Sequence, residues 1–137
     1  METQVLEVRA DVLRSTVGIL FDLRTALQID VGNTGLLVVR GLRECHWLSD
    51  GSPATSLTSW NVIASSPDFS SGVFQVTLSF FPNARFRVSG ISSTFYILDV
   101  PEIGDAPPDY GDGDGDVLRA GLPGWSSPYS IIQITSI

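Results

Sequence analysis

Lysine is missing from this sequence altogether, and all eight of its basic residues are arginines. Cysteine, histidine and methionine occur once each, the methionine at position 1. The single Cys45 cannot form an internal disulfide. A lone His46 leaves no second imidazole for a soft-metal site or for a relay behind a nucleophile. No apolar run approaches the length of a membrane span. The opening residues, Met-Glu-Thr-Gln-Val-Leu-Glu, lack the basic start and apolar centre of a signal peptide. These absences lead to the expectation of a cytoplasmic protein. Gly-x-Ser-x-Gly, Walker-type and Cys-x-x-Cys motifs are missing too, so the familiar sequence marks of catalysis do not occur.

Positive charge is scarce as well as uniform. Fifteen acids against eight arginines give a net charge of -7, and its distribution is uneven. Residues 1–98 hold seven arginines and eight acids, whereas seven acids and only Arg119 follow from Asp99 onward. A nucleic-acid footprint needs a basic patch, and none is visible. An acidic surface instead favours a basic partner or a cation, if it does more than keep the chain in solution.

What the sequence does have is alternation. From Gly72 to Val100, Phe74, Val76, Leu78 and Phe80 face one way, with Gln75, Thr77 and Ser79 on the other side. Pro82-Asn83 supplies a reversal. Ala84, Phe86 and Val88 then resume the apolar face, with Arg85, Arg87 and Ser89 outside. A third run, Phe95 to Val100, is apolar on both faces apart from Asp99, and is expected to be the most enclosed strand. Period-two patterning of this kind predicts an antiparallel meander with one buried face. The expected core includes Phe74, Val76, Leu78, Phe80, Phe86, Val88, Phe95 and Ile97.

Further strands are expected on either side. Thr3 to Arg9 alternates, with Leu6 and Val8 on one face and Val5, Glu7 and Arg9 on the other. Val17, Ile19, Phe21 and Leu23 share a face in the next run. Gly35 to Leu48 reads as one long central strand, and Ser59 to Ala64 as a short one between loops at 50–58 and 65–71. Ser130 to Ile137 is expected as the last strand. The fold class is therefore all-β, an antiparallel sandwich or partly open barrel of about seven or eight strands in one domain spanning 1–137. The alternative is an α+β roll, with larger helices at Thr25 to Ile29 and Val117 to Ala120.

Residues 101–116 form an acidic, Pro/Gly-rich segment expected to be an exposed loop. Within it Asp109, Asp112, Asp114 and Asp116 invite a calcium reading, since close carboxylates on a glycine-rich loop can wrap a hard cation. Asp112, Asp114 and Asp116 match positions one, three and five of an EF-hand loop. Val117 stands where glycine is required and Pro123 where the bidentate glutamate belongs, so no metal site is expected. Trp125, set between Gly124 and Pro128, is an aromatic anchor beside the acids or a lid on the end of the sandwich. Glu44-Cys45-His46 puts reactive groups together, but alternation points Cys45 away from both neighbours. The bland reading is a buried structural cysteine and an edge-strand histidine. Asp22, Glu44 and His46 remain the candidate acids or bases if the protein is an enzyme.

Residues 17–28 (VGILFDLRTALQ), 33–41 (NTGLLVVRG) and 105–110 (DAPPDY) resemble stretches of small β-rich bacterial proteins of actinobacterial type. Some families of that size and make-up are assigned as immunity proteins of polymorphic toxin systems. The resemblance implies a non-catalytic, cytoplasmic protein that neutralises a partner by binding it, and it carries over no functional residue. The reading is thus a binding protein without cofactor or metal. Asp109, Asp112, Asp114, Asp116 and Trp125 would be its contact surface and a basic protein its partner. The alternative is a cation- or small-ligand-binding domain using the same aspartates.

Overall fold

The alternation of residues 72–100 becomes three consecutive antiparallel strands in the computed structural model, which describes residues 3–24, 32–49, 60–81, 84–101, 103 and 127–136. Nine strands occur among the described residues: β1 (Thr3–Asp11), β2 (Thr16–Asp22), β3 (Thr34–Arg40), β4 (Glu44–Ser49), β5 (Trp60–Ser70), β6 (Val73–Phe81), β7 (Ala84–Gly90), β8 (Ser92–Asp99) and β9 (Ser130–Ser136). The described residues contain no helix. The α+β alternative rests on 25–29 and 117–120, which lie outside them. So do the reversal expected at Pro82-Asn83 and the loop expected at 50–58.

Hydrogen bonding runs in the order β4-β7-β6-β5-β1-β2-β3-β8-β9, antiparallel at every step. The ladder is thinnest at one point, because among the described residues β1 and β5 share only the pairs Thr3↔Val62, Gln4↔Asn61 and Val5↔Trp60. There the sheet folds over. A four-stranded layer, β4-β7-β6-β5, lies against a five-stranded layer, β1-β2-β3-β8-β9. The result is an open β-sandwich with edges at β4 and β9, as expected from the alternation, with more strands than seven or eight.

The core fills the space between the layers. Val17, Ile19, Phe21, Leu37, Val39 and Ile97 come from one side, and Phe74, Val76, Leu78, Phe80, Phe86 and Val88 from the other. Phe95 is only partly buried against them. Its ring meets Phe21 edge-on at 6.1 Å between centroids.

Four local expectations need correction. The stretch 35–48 is two strands, not one. Gly41, at φ 62°, breaks the run, and the chain crosses there from the five-stranded to the four-stranded layer. The loop expected at 65–71 is instead the second half of β5, and only Ser71 and Gly72 turn. Both have positive φ (54° and 74°), the geometry of a two-residue hairpin turn that matches strand twist. Pro67 is tolerated because β5 has already left β1 by that point and behaves as an edge.

In β1 the pairing shifts between Val5 and Glu7. This bulge turns Val5 into the core, leaves Leu6 half-buried and lets Val8 pack inward again. Strict alternation places Val5 outside. The most enclosed strand is β2, not β8, since β2 has no exposed residue and four consecutive buried ones at its end, whereas β8 ends on an exposed Asp99 and is flanked on one side by the fully exposed β9.

Two crossovers meet at one corner. Ile91 N donates to Arg40 O at 2.9 Å and Arg43 N donates to Ser89 O at 2.8 Å. Gly90 sits in this corner with no room for a side chain; a Cβ there would lie 2.6 Å from Arg40 O and 2.7 Å from Val39 Cγ1. A carbonyl held in a hydrogen bond cannot retreat cheaply. Gly90→Ala is therefore expected to lower stability by about 1–3 kcal/mol in a urea melt, the range for overpacking.

Candidate functional site

The two outer faces of the sandwich differ in chemistry. On the four-stranded layer, Arg85 and Arg87 of β7 stand outside beside Leu48 and His46 of β4, their register partners. This is the wet face that alternation predicts. The outer face of the five-stranded layer is apolar instead. One cross-strand row runs Leu20↔Leu36↔Tyr96↔Ile134, and the next runs Asp22↔Thr34↔Leu98↔Ile131. Leu20, Leu36, Tyr96, Thr34, Leu98 and Ile131 of these rows, with Val38, Val100 and Tyr129, shape a concavity of about 400 Å³. A sheet apolar on both faces is normally covered on both.

The concavity runs out onto β9. Every residue of this strand is exposed. Tyr129, Ile131, Ile132 and Ile134 each show about half their surface or more. β9 has no charged residue to discourage pairing with another chain, and its outer side has no strand partner among the described residues. Its only irregularity is the register shift opposite Ile97 and Leu98, which leaves Ile132 out of the ladder. The opposite edge, β4, is guarded by Glu44 and His46 and preceded by Arg43.

A polar clasp holds the rim of the apolar face. Arg24 grips Asp22 with both arms of its guanidinium, Nε to Oδ1 at 3.0 Å and Nη2 to Oδ2 at 2.7 Å, and both side chains are only 2% exposed. Its remaining nitrogen, Nη1, donates to the Ile103 carbonyl at 2.6 Å. Asn33 acts as an extra piece of backbone. Its Nδ2 donates to Val100 O at 2.8 Å, and its Oδ1 accepts from Val100 N at 2.9 Å. The chain after β8 is thereby tied to the start of β3 as it enters the acidic segment. It re-enters the described region at Ser127 and Tyr129, which line the same concavity.

Asp109, Asp112, Asp114, Asp116 and Trp125 lie outside the described residues. The structure gives their anchors, at Val100 and Ile103 on one side and Ser127 on the other. Of the candidate acids and bases, Asp22 is committed to Arg24. Glu44 and His46 share the outer face of β4, opposite Ser89 and Arg87. Cys45 points the other way, opposite Val88, as alternation requires. It is exposed, not buried as expected, because β4 is an edge. Its surroundings still desolvate the sulfur enough to push the thiol pKa up, the opposite of an activated nucleophile. Trp47 lies half-exposed, its ring stacked 5.4 Å from Phe80 and tilted 6.0 Å from Phe86. Among the described residues no three His, Cys, Asp or Glu side chains converge as a metal site would require. No described helix is long and apolar enough to cross a membrane.

Sequence reasoning passes over Arg24, Asn33 and the isoleucines of β9. For β9 a signal is present: Ile131-Ile132 puts apolar residues on both faces of a terminal strand. For the ties made by Arg24 and Asn33 there is none, because Ile103 and Val100 lie 79 and 67 residues away from them. No family model, no curated protein and no solved structure matches this chain.

Proposed function

We propose that this protein acts by binding another protein, in the manner of an immunity protein, and not by catalysis. The observation that carries the reading is the β9 edge, which has no outer strand partner among the described residues, is continuous with an apolar sheet face and is flanked by the ends of the most acidic stretch of the sequence. The division of labour follows from the physics. Main-chain pairing along β9 and burial of Ile131, Ile132 and Ile134 would supply adhesion. Asp109, Asp112, Asp114 and Asp116 would steer a basic partner in.

The experiment is capture of partners on the immobilised protein, followed by association kinetics with the purified captured species. An Ile132→Lys/Ile134→Lys variant should dissociate at least about tenfold faster, because charge on an edge blocks strand pairing. Converting the four aspartates to asparagine should instead slow association, and added salt should reproduce that effect, since exposed charge is screened beyond about 8 Å at physiological ionic strength. Thermal melts check that each variant still folds. Equal kinetics for the wild-type protein and the β9 variant would sink the reading.

A further inference from the structure

A second cavity lies inside the sandwich and owes nothing to the outer face or to the protein-binding reading. Beyond Val62 the pairing of β5 with β6 shifts, and among the described residues β5 has no further partner on β1. The two layers part there, leaving a pocket of about 310 Å³ between them. Phe21, Leu37, Val62, Phe74, Leu78 and Phe95 are among the apolar residues of its wall. Ser65 and Pro67 of one layer and Thr135 of the other, all exposed, stand at its mouth. Among the described residues no charged side chain lines it.

One group in that wall is out of place. Thr3 is 4% exposed, and its Oγ1 is a buried side-chain oxygen without a protein hydrogen-bond partner. Among the described residues it is the one such atom. A buried hydroxyl with no partner is a cost that valine would avoid at the same volume. Ser93, 3% exposed, adds a second hydroxyl to the same wall.

The geometry points to a binding site for a small, uncharged, largely apolar molecule carrying a single hydroxyl, with Thr3 Oγ1 as its hydrogen-bond partner. The size is at the small end of the range for ligand pockets, and an apolar lining with one or two placed polar groups is their usual make-up. The described wall offers a charged ligand no partner. A carboxylate or ammonium carried inside would find no counter-ion and would be strongly penalised. The hydroxyl of the ligand would both give and accept a hydrogen bond, which suits threonine, itself a donor and an acceptor.

The test uses N-phenyl-1-naphthylamine, a neutral dye that fluoresces in apolar sites, displaced by 1-octanol, 1-chlorooctane or octanoate. The wild-type protein should take up the dye and release it to 1-octanol in preference to 1-chlorooctane, with octanoate ineffective. Thr3→Val should lose about 2- to 10-fold of the preference for the alcohol, the worth of one ordinary hydrogen bond. Its ligand-free form should melt no lower than the wild-type protein. Thr3→Ser should keep the preference. Ser65→Phe, at an exposed position in the mouth, should weaken dye uptake at least about tenfold without unfolding the chain, since the ring would fill the entrance. It still tests the site should Thr3→Val fail to fold. Failure of the dye to bind, displacement by octanoate as effective as by octanol, an unchanged alcohol preference in Thr3→Val, or unimpaired dye uptake by Ser65→Phe would each overturn the proposal. The protein-binding reading would be untouched by any of these, since β9 edge contacts are measured separately.

Discussion

Asp22→Ala is expected to destabilise the protein by about 3–5 kcal/mol, the largest loss from any single polar substitution in the described fold. The reason is what the variant leaves behind. The Arg24 side chain is 2% exposed, and its guanidinium would remain buried without the carboxylate that now grips it in two places. Arginine cannot relieve this by giving up its proton. It would have to swing out to water and release the Ile103 carbonyl, or stay and bear the desolvation. The pair itself need not contribute much net stability. Replacing both partners by leucine should recover most of the loss, since a buried ion pair and a well-packed apolar pair are often equivalent. Exposed pairs offer the contrast. Arg9 and Glu7 lie 3.8 Å apart with side chains 63% and 49% exposed, and neutralising either should change stability by less than about 1 kcal/mol. Urea melts of the two single variants and the double variant decide the matter. A loss below about half a kcal/mol for Asp22→Ala would mean that the clasp is not closed in solution.

Phe80→Ala is expected to cost about 3–5 kcal/mol. Phe80 is 2% exposed, belongs to the core between the layers and carries the Trp47 ring stacked on it at 5.4 Å. Deleting it forfeits a large transfer free energy and opens a void that the flanking strands cannot close without breaking ladder bonds. The near-ultraviolet circular dichroism of the folded variant should change as well, because Trp47 loses the ring beneath it. Leu78→Ala, two residues earlier on the same face, should cost about 2–5 kcal/mol. A loss under about half a kcal/mol at Leu78 would place it on the solvent side, and a one-residue slip would then have moved every side chain of β6 to the wrong face.

Much of the fold was legible because period two is a local property. Phe74, Val76, Leu78, Phe80, Phe86 and Val88 declare their common face within a few residues of one another, and all six are buried. The errors occurred where something distant or irregular intervened. Alternation has no means of anticipating a bulge, so the faces of Val5 and Leu6 were exchanged. Gly41 looks like a weak point in a long strand, and its role as a crossover depends on the second layer that β4 joins. Ser65 to Ser70 is short of apolar residues because, among the described residues, that part of β5 has a strand partner on one side only, and edge strands do not need a greasy pattern.

Four features were settled by neighbours in the chain or by simple counting. They are the all-β class, the buried face of the meander, the separation of Cys45 from His46 by strand alternation, and the concentration of acid from Asp99 onward. Other relations needed the folded chain. Ile103 closes the clasp that Asp22 and Arg24 begin, and Asn33 fastens Val100. Leu20, Leu36, Tyr96 and Ile134 line up as one apolar row, and Thr3 ends without a protein partner in the wall of a pocket. These relations join residues far apart in sequence, and they exist only once strand order and register have set which side chains lie opposite one another.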